Sequence, residues 1–207
     1  MVPIVIDRRW KDLMTRFQFN ENMAEFLELK NKYNEKQRAY HNMEHIIDCL
    51  NQLDNYEEII ADRDIIELAI WYHDIIYNPY GKENELKSAQ EAAQFMTTQN
   101  ADGTIIEKVY QLILSTVHIE SPKTEAQALI MDIDISILGS PKPQYLEYCQ
   151  KIRKEYKWIP GPLYRSKRKE VLNRFLQRKR LYFTEYFYNK LEGNARINIS
   201  QEIKRLS

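Results

Sequence analysis

Cysteine is nearly missing: Cys49 and Cys149, a hundred positions apart, are the only two in 207 residues. That excludes a cysteine zinc knuckle and argues against a disulfide framework. It leaves two small buried hydrophobes in a reducing compartment. Net charge is missing too, since thirty basic residues cancel thirty acidic ones. No global field then draws the chain to nucleic acid or to a membrane surface. No apolar run approaches the ~20 residues of a membrane span. The opening stretch Met1-Val2-Pro3-Ile4-Val5-Ile6 is too short for a secretory signal, and its basic residues come after it. Glycine occurs only five times, and the apolar–polar alternation of strands is almost absent. The expectation is a soluble cytoplasmic protein with no membrane partner, nucleic acid disfavoured and homo-oligomer assembly left open.

What is present is helical spacing. Hydrophobic residues make up 43% of the chain, ample for a core, and charged residues 29%, ample for solubility. Trp10, Leu13, Met14 and Phe17 form one stripe. Asn20 is the expected cap of a second helix carrying Met23, Phe26, Leu27 and Leu29. A third helix is expected around His41 and Leu50, and a fourth, started by Asp62 or Asp64, runs through His73-Asp74 to a stop at Asn78-Pro79-Tyr80-Gly81. Further helices are predicted over 83–98, 104–118, 125–138, 145–158 and 163–188, with a last amphipathic piece over 194–206. There is no internal repeat, low-complexity tract or long linker. The prediction is an all-α, single-domain helical bundle over 1–207, with a core at about 38–140 and the helices of 141–207 packed on it.

The chemistry concentrates in Leu68-Ala69-Ile70-Trp71-Tyr72-His73-Asp74-Ile75-Ile76, where a histidine and an aspartate sit inside an apolar segment. Two buried titratable groups cost several kcal/mol unless something satisfies them. Either a core histidine pairs with a capping aspartate, or both ligate a divalent ion. Upstream, His41 and His45 share a helix face, about 40° apart, while adjacent His73 and Asp74 project about 100° apart. Downstream, Leu129-Ile130-Met131-Asp132-Ile133-Asp134-Ile135 again places acids in an apolar helix. Asp132 and Asp134 are about 200° apart, so one faces the interior and the other water. Three of the four histidines fall in the two earlier segments, which coordination explains better than chance.

These residues carry a resemblance. A histidine, then His-Asp, then a distant aspartate in an all-helical chain resembles the HD superfamily of metal-dependent phosphohydrolases. Tyr40-His41-Asn42-Met43-Glu44-His45-Ile46-Ile47-Asp48 is similar to the histidine signature of cyclic-nucleotide phosphodiesterases, a branch of that superfamily, and Ile133-Asp134-Ile135-Ser136 to the surroundings of that branch's last ligand. Most of the chain is more similar still to a group of bacterial predicted HD phosphohydrolases. The shared segments include His41-Asn42…His45, Trp71-Tyr72-His73-Asp74, Asn84-Glu85…Ser88-Ala89, Asp132-Ile133-Asp134…Leu138-Gly139, Arg153…Glu155-Tyr156 and Ala195-Arg196…Asn198. The phosphodiesterases' second-metal and nucleotide-pocket signatures do not follow His73-Asp74.

The resemblance implies an HD-type helical domain in which His45, His73, Asp74 and Asp134 hold a divalent ion (manganese, iron, cobalt, nickel, zinc or magnesium). Asp74 or Asp134 would orient water, and His41 would be the general acid. The implied activity is hydrolysis of a phosphate ester or anhydride of a nucleotide-like small molecule. The alternatives are an HD-fold di-iron oxygenase and a non-catalytic helical module that binds a nucleotide or a partner. Substrate-side expectations are Arg153 and Arg168 as phosphate anchors and Tyr72 as a stacking ring. His118 and Glu85 are expected at the rim of the site or on a second ion.

Overall fold

Short polar side chains cap several helix starts. Asn42 accepts from the N–H groups of Glu44 and His45, Asp102 from Thr104, Thr124 from Gln127 and Thr184 from Phe187. The computed structural model describes residues 6–206. It contains α1 (Ile6–Arg16), α2 (Met23–Tyr33), α3 (Met43–Asp54), α4 (Arg63–Tyr72), α5 (Asn84–Thr98), α6 (Gly103–Ser115), α7 (Glu125–Asp134), α8 (Lys142–Glu155), α9 (Gly161–Gln177) and α10 (Glu185–Arg205). A 3-10 turn, Ser136–Gly139, follows α7. The described residues form no strand, so the chain is all-α, as its spacing predicts. None of the described helices is long and apolar enough to cross a membrane.

The centre is α4. Ile66 to Tyr72 is buried without interruption, the pattern of a helix enclosed on all sides rather than amphipathic. Trp71 packs edge-on against Trp10 of α1 at 5.4 Å and Phe26 of α2 at 6.1 Å. Glu67, the one acid in that run, receives Arg9 and Arg16 of α1, each at 2.8 Å. Those two arginines satisfy a charge that burial would otherwise make very costly.

Several boundaries differ from the sequence expectations. The cap of α2 is Asn22, not Asn20. Asp62 occupies the cap position of α4 without a capping bond, because its carboxylate takes Lys108 at 2.8 Å. The predicted 163–188 helix is broken. Residues 178–184 leave the helical path because buried acids capture their N–H groups: Glu192 takes Leu181 and Tyr182, and Asp132 takes Phe183 and Thr184. With Leu181 and Tyr182 fully buried, tertiary burial overrides helix propensity there. The chain restarts as α10, which lies against the 3-10 turn. Asn198 donates to the carbonyls of Leu138 and Ser140, both at 2.9 Å. A Cβ on Gly139 would stand 2.5 Å from Leu191 Cβ, so only glycine permits that approach.

Candidate metal centre

The C-terminal end of α4 must satisfy its last four carbonyls. Ala69 accepts the His73 N–H, Ile70 the His73 Nδ1–H, Trp71 the Tyr33 hydroxyl and Tyr72 the Ile75 N–H. His73 therefore caps the helix, and Asp74 lies just beyond it in a turn. The 100° helical offset does not apply, because the helix ends one residue before the pair. The bond from Nδ1 to Ile70, at 2.9 Å, fixes the neutral tautomer, leaving Nε2 as a lone pair.

That lone pair meets three other acceptors. His45, in the first turn of α3, brings its Nε2 to 3.2 Å from His73 Nε2. Asp74 Oδ2 lies 3.3 Å from His73 Nε2 and 3.7 Å from His45 Nε2. Asp134, the last residue of α7, places Oδ1 at 3.3 Å from His45 Nε2 and 3.6 Å from His73 Nε2. Ligand atoms ~2.1 Å from one ion are separated by about 3.4 Å in a tetrahedron and about 3.0 Å between octahedral neighbours. The observed separations of 3.2–3.7 Å belong to that range. Among the described residues, the ligand atoms of His45, His73 and Asp74 lie close enough together to hold one metal ion. Both histidines are buried, so lone pairs and carboxylates converge where water does not neutralise them. Only a cation, proton or metal, relieves that.

The electrostatics say the same. Burial disfavours the His73 imidazolium, but Asp74 and Asp134 outweigh it and hold its pKa well above the ordinary value. Burial likewise works against ionised Asp74 and Asp134, yet the surrounding histidines keep both below the usual carboxylate range. Nitrogen and carboxylate donors of this mixture suit the first-row divalent ions.

His41 stands beside the cluster, its ring centroid 6.0 Å from that of His45. It is not on the helix: Asn42 is the cap of α3, and His41 precedes it in a loop. Glu155, the last residue of α8, holds that loop. Its Oε1 accepts the N–H groups of Ala39, Tyr40 and His41 at 2.8, 2.8 and 3.0 Å. Its Oε2 accepts His41 Nδ1–H at 2.7 Å and the Tyr77 hydroxyl at 2.8 Å. Tyr77 stacks on the His41 ring at 4.6 Å. Against its burial, the Glu155 bond and the Asp74 charge raise the pKa of His41. Arg38, its side chain fully buried between the Tyr33 and Tyr77 rings, donates to the carbonyls of His41, Asp74 and Ile75. It thereby ties the His41 loop to the His73-Asp74 turn. Sequence reasoning missed both Arg38 and Glu155. Glu155 is remote in sequence and ends an ordinary charged helix, and Arg38 reads as a surface loop residue.

The other expected residues divide. His118 reaches the cluster: its Nε2 meets Asp134 Oδ2 at 2.7 Å, behind the oxygen that faces the histidines. Glu85, in the first turn of α5, lies within electrostatic reach. Burial raises its pKa, and the Asp74 and Asp134 charges add to that, against a backbone hydrogen bond. Tyr72 faces the core instead, stacked on Phe95 with its hydroxyl 2.6 Å from Glu25. Arg153 spends its donors on the carbonyls of Tyr156 and Ile159, and Arg168 on Glu202 and the Tyr148 hydroxyl. Both are framework cations, because the C-terminal helices need them to satisfy buried acceptors. Asp132 is the interior member of its pair, but Asp134 faces the cluster rather than open water. No family model, curated protein or solved structure matches this chain.

Proposed function

We propose that this chain is a metal-dependent phosphohydrolase acting on a phosphate ester or anhydride of a nucleotide-like small molecule. The observation that carries the reading is the convergence of His45, His73, Asp74 and Asp134 beside a histidine oriented by a carboxylate. The resemblance of those same residues to the HD phosphohydrolase signature supports it independently. His45, His73, Asp74 and Asp134 would hold the ion, which when bound would acidify water and draw charge from phosphorus. His41, its Nδ1–H committed to Glu155, presents Nε2 as the group that protonates the leaving oxygen. Asp74 is the carboxylate placed to orient the attacking water. Glu155 and Arg38 keep the acid and the ligand turn at a fixed separation.

The test is elemental analysis of the purified protein, followed by turnover of phosphate monoesters, diesters and nucleotides with manganese, cobalt or zinc added. The expected result is metal-stimulated release of phosphate or alcohol that disappears, with the bound metal, in His73→Ala. A metal-loaded protein that turns over none of these substrates would leave only a binding module. Two irons per chain would favour the oxygenase.

A further inference from the structure

A cavity of about 360 Å³ lies on the far side of His118, between the loop after α6 and the end of α9. That volume is in the range of small-molecule sites. Two arginines, Arg174 and Arg178, line it together with His118, with an apolar wall from Val171, Phe175 and Val117. No carboxylate lines it. The nearest acid along α9, Glu170, is paired with Lys167 at 3.0 Å. Arg174 makes neither hydrogen bond nor ion pair among the described residues. Arg178 lies over the Phe175 ring at 4.8 Å and spends one nitrogen on the His118 carbonyl. Its other terminal nitrogen, Nη1, is buried with no partner, and so is Nδ1 of His118. Burial and the neighbouring Arg174 charge press Arg178 towards losing its proton, with no acid to oppose them.

Buried polar atoms without partners are rare in folded proteins, and two in one cavity, the Arg178 Nη1 donor and the His118 Nδ1 lone pair, beside an unpaired arginine describe a site missing its ligand. We infer that this cavity binds an oxyanion, a phosphate or the phosphate group of an organic monoester, on Arg174, Arg178 and His118. A guanidinium fork takes two phosphate oxygens at once. His118 Nε2 donates to Asp134, so its Nδ1 offers a lone pair, and the P–OH of a singly protonated phosphate supplies the hydrogen it lacks. The apolar wall suits the organic part of an ester. The site adjoins the metal centre through the His118–Asp134 hydrogen bond, but neither of its arginines is among the metal ligands.

Inorganic phosphate titrated into the labelled protein, with backbone amide shifts of residues 117–119 and 174–178 as the readout, tests this. Saturable binding is expected in the wild type and in His73→Ala. Arg174→Gln, an exposed position that folds normally, and Arg178→Gln should each weaken it by roughly tenfold. Unchanged affinity in both arginine variants overturns the proposal, as does a lack of saturable binding. Loss in His73→Ala alone places the anion at the metal centre, which removes this cavity and leaves the phosphohydrolase reading standing. A nucleoside monophosphate distinguishes the two sources. Tighter binding than inorganic phosphate identifies an organic ester, and equal binding identifies the free ion.

Discussion

A single carboxylate, Glu155, accepts five hydrogen bonds, three from the backbone of the His41 loop, one from the His41 ring and one from Tyr77. Burial alone would raise its pKa, but His41 and the Tyr40 and His41 N–H groups hold it down to about 2. In the unfolded chain it titrates near 4.3. Below that value the unfolded chain takes up a proton that the folded chain refuses until about pH 2. The stability this group contributes is therefore present above the unfolded pKa and lost as pH falls through that window, about 3 kcal/mol in all. Denaturation of Glu155→Gln against wild type from pH 7 to pH 2 should show the difference shrinking towards acid, and a constant difference would contradict it. The same variant should lower the pKa of His41, followed through its ring proton signals, because the Glu155 bond is the first of the interactions that raise it. Its neighbour in the mechanism has its own test. His41→Ala should slow turnover by roughly 10²–10⁴-fold with metal content unchanged, and undiminished turnover would remove His41 from proton transfer.

At the scale of the element, the two aspartates of α7 separate structure from site. Asp132 accepts Phe183 N–H at 2.8 Å, Thr184 N–H at 2.7 Å and the Thr184 hydroxyl at 2.8 Å, fixing the turn from which α10 starts. Asp132→Ala strands these buried donors, so it should cost about 1–3 kcal/mol or more while leaving metal content intact. Asp134→Asn should do the reverse, with metal lost and the urea midpoint almost unmoved from that of metal-free wild type. Equal metal loss in both would mean that the α7–α10 junction, not Asp134, builds the site. This pair also marks how far the sequence could be read. Two acids in an apolar helix are visible, and period 3.6 separates their faces, but which one coordinates depends on where residues 178–184 run. That segment reads as continuous helix because no glycine or proline interrupts 163–188. Acids on α7 and α10, 51 and 11 positions away, decide otherwise.

At the scale of the whole molecule, the all-helical architecture and the His45, His73 and Asp74 group were legible because hydrophobic spacing and residue identity are local properties. The braces, Arg38 and Glu155, were not, because their partners lie 36 and 114 positions away. The four proposed ligands come from α3, the end of α4 and the end of α7, so an ion there would cross-link three elements that separate on unfolding. Binding to the folded state alone stabilises by RT ln(1 + [L]/Kd), about 2.7 kcal/mol at a hundredfold excess over Kd. For a chain of this length that corresponds to a rise in Tm of about 5–10 °C. Chelator-treated protein should therefore melt lower, and manganese or zinc should restore the difference in the wild type but not in His73→Ala or Asp134→Asn. Lowering the pH from 8 to 5 should reduce the restoration, because protons compete for His45 and His73 Nε2 and bound metal requires both nitrogens free. An identical rise in His73→Ala would place the ion elsewhere on the surface, and the convergence of these four side chains would then be a proton-bridged cluster holding three helices together.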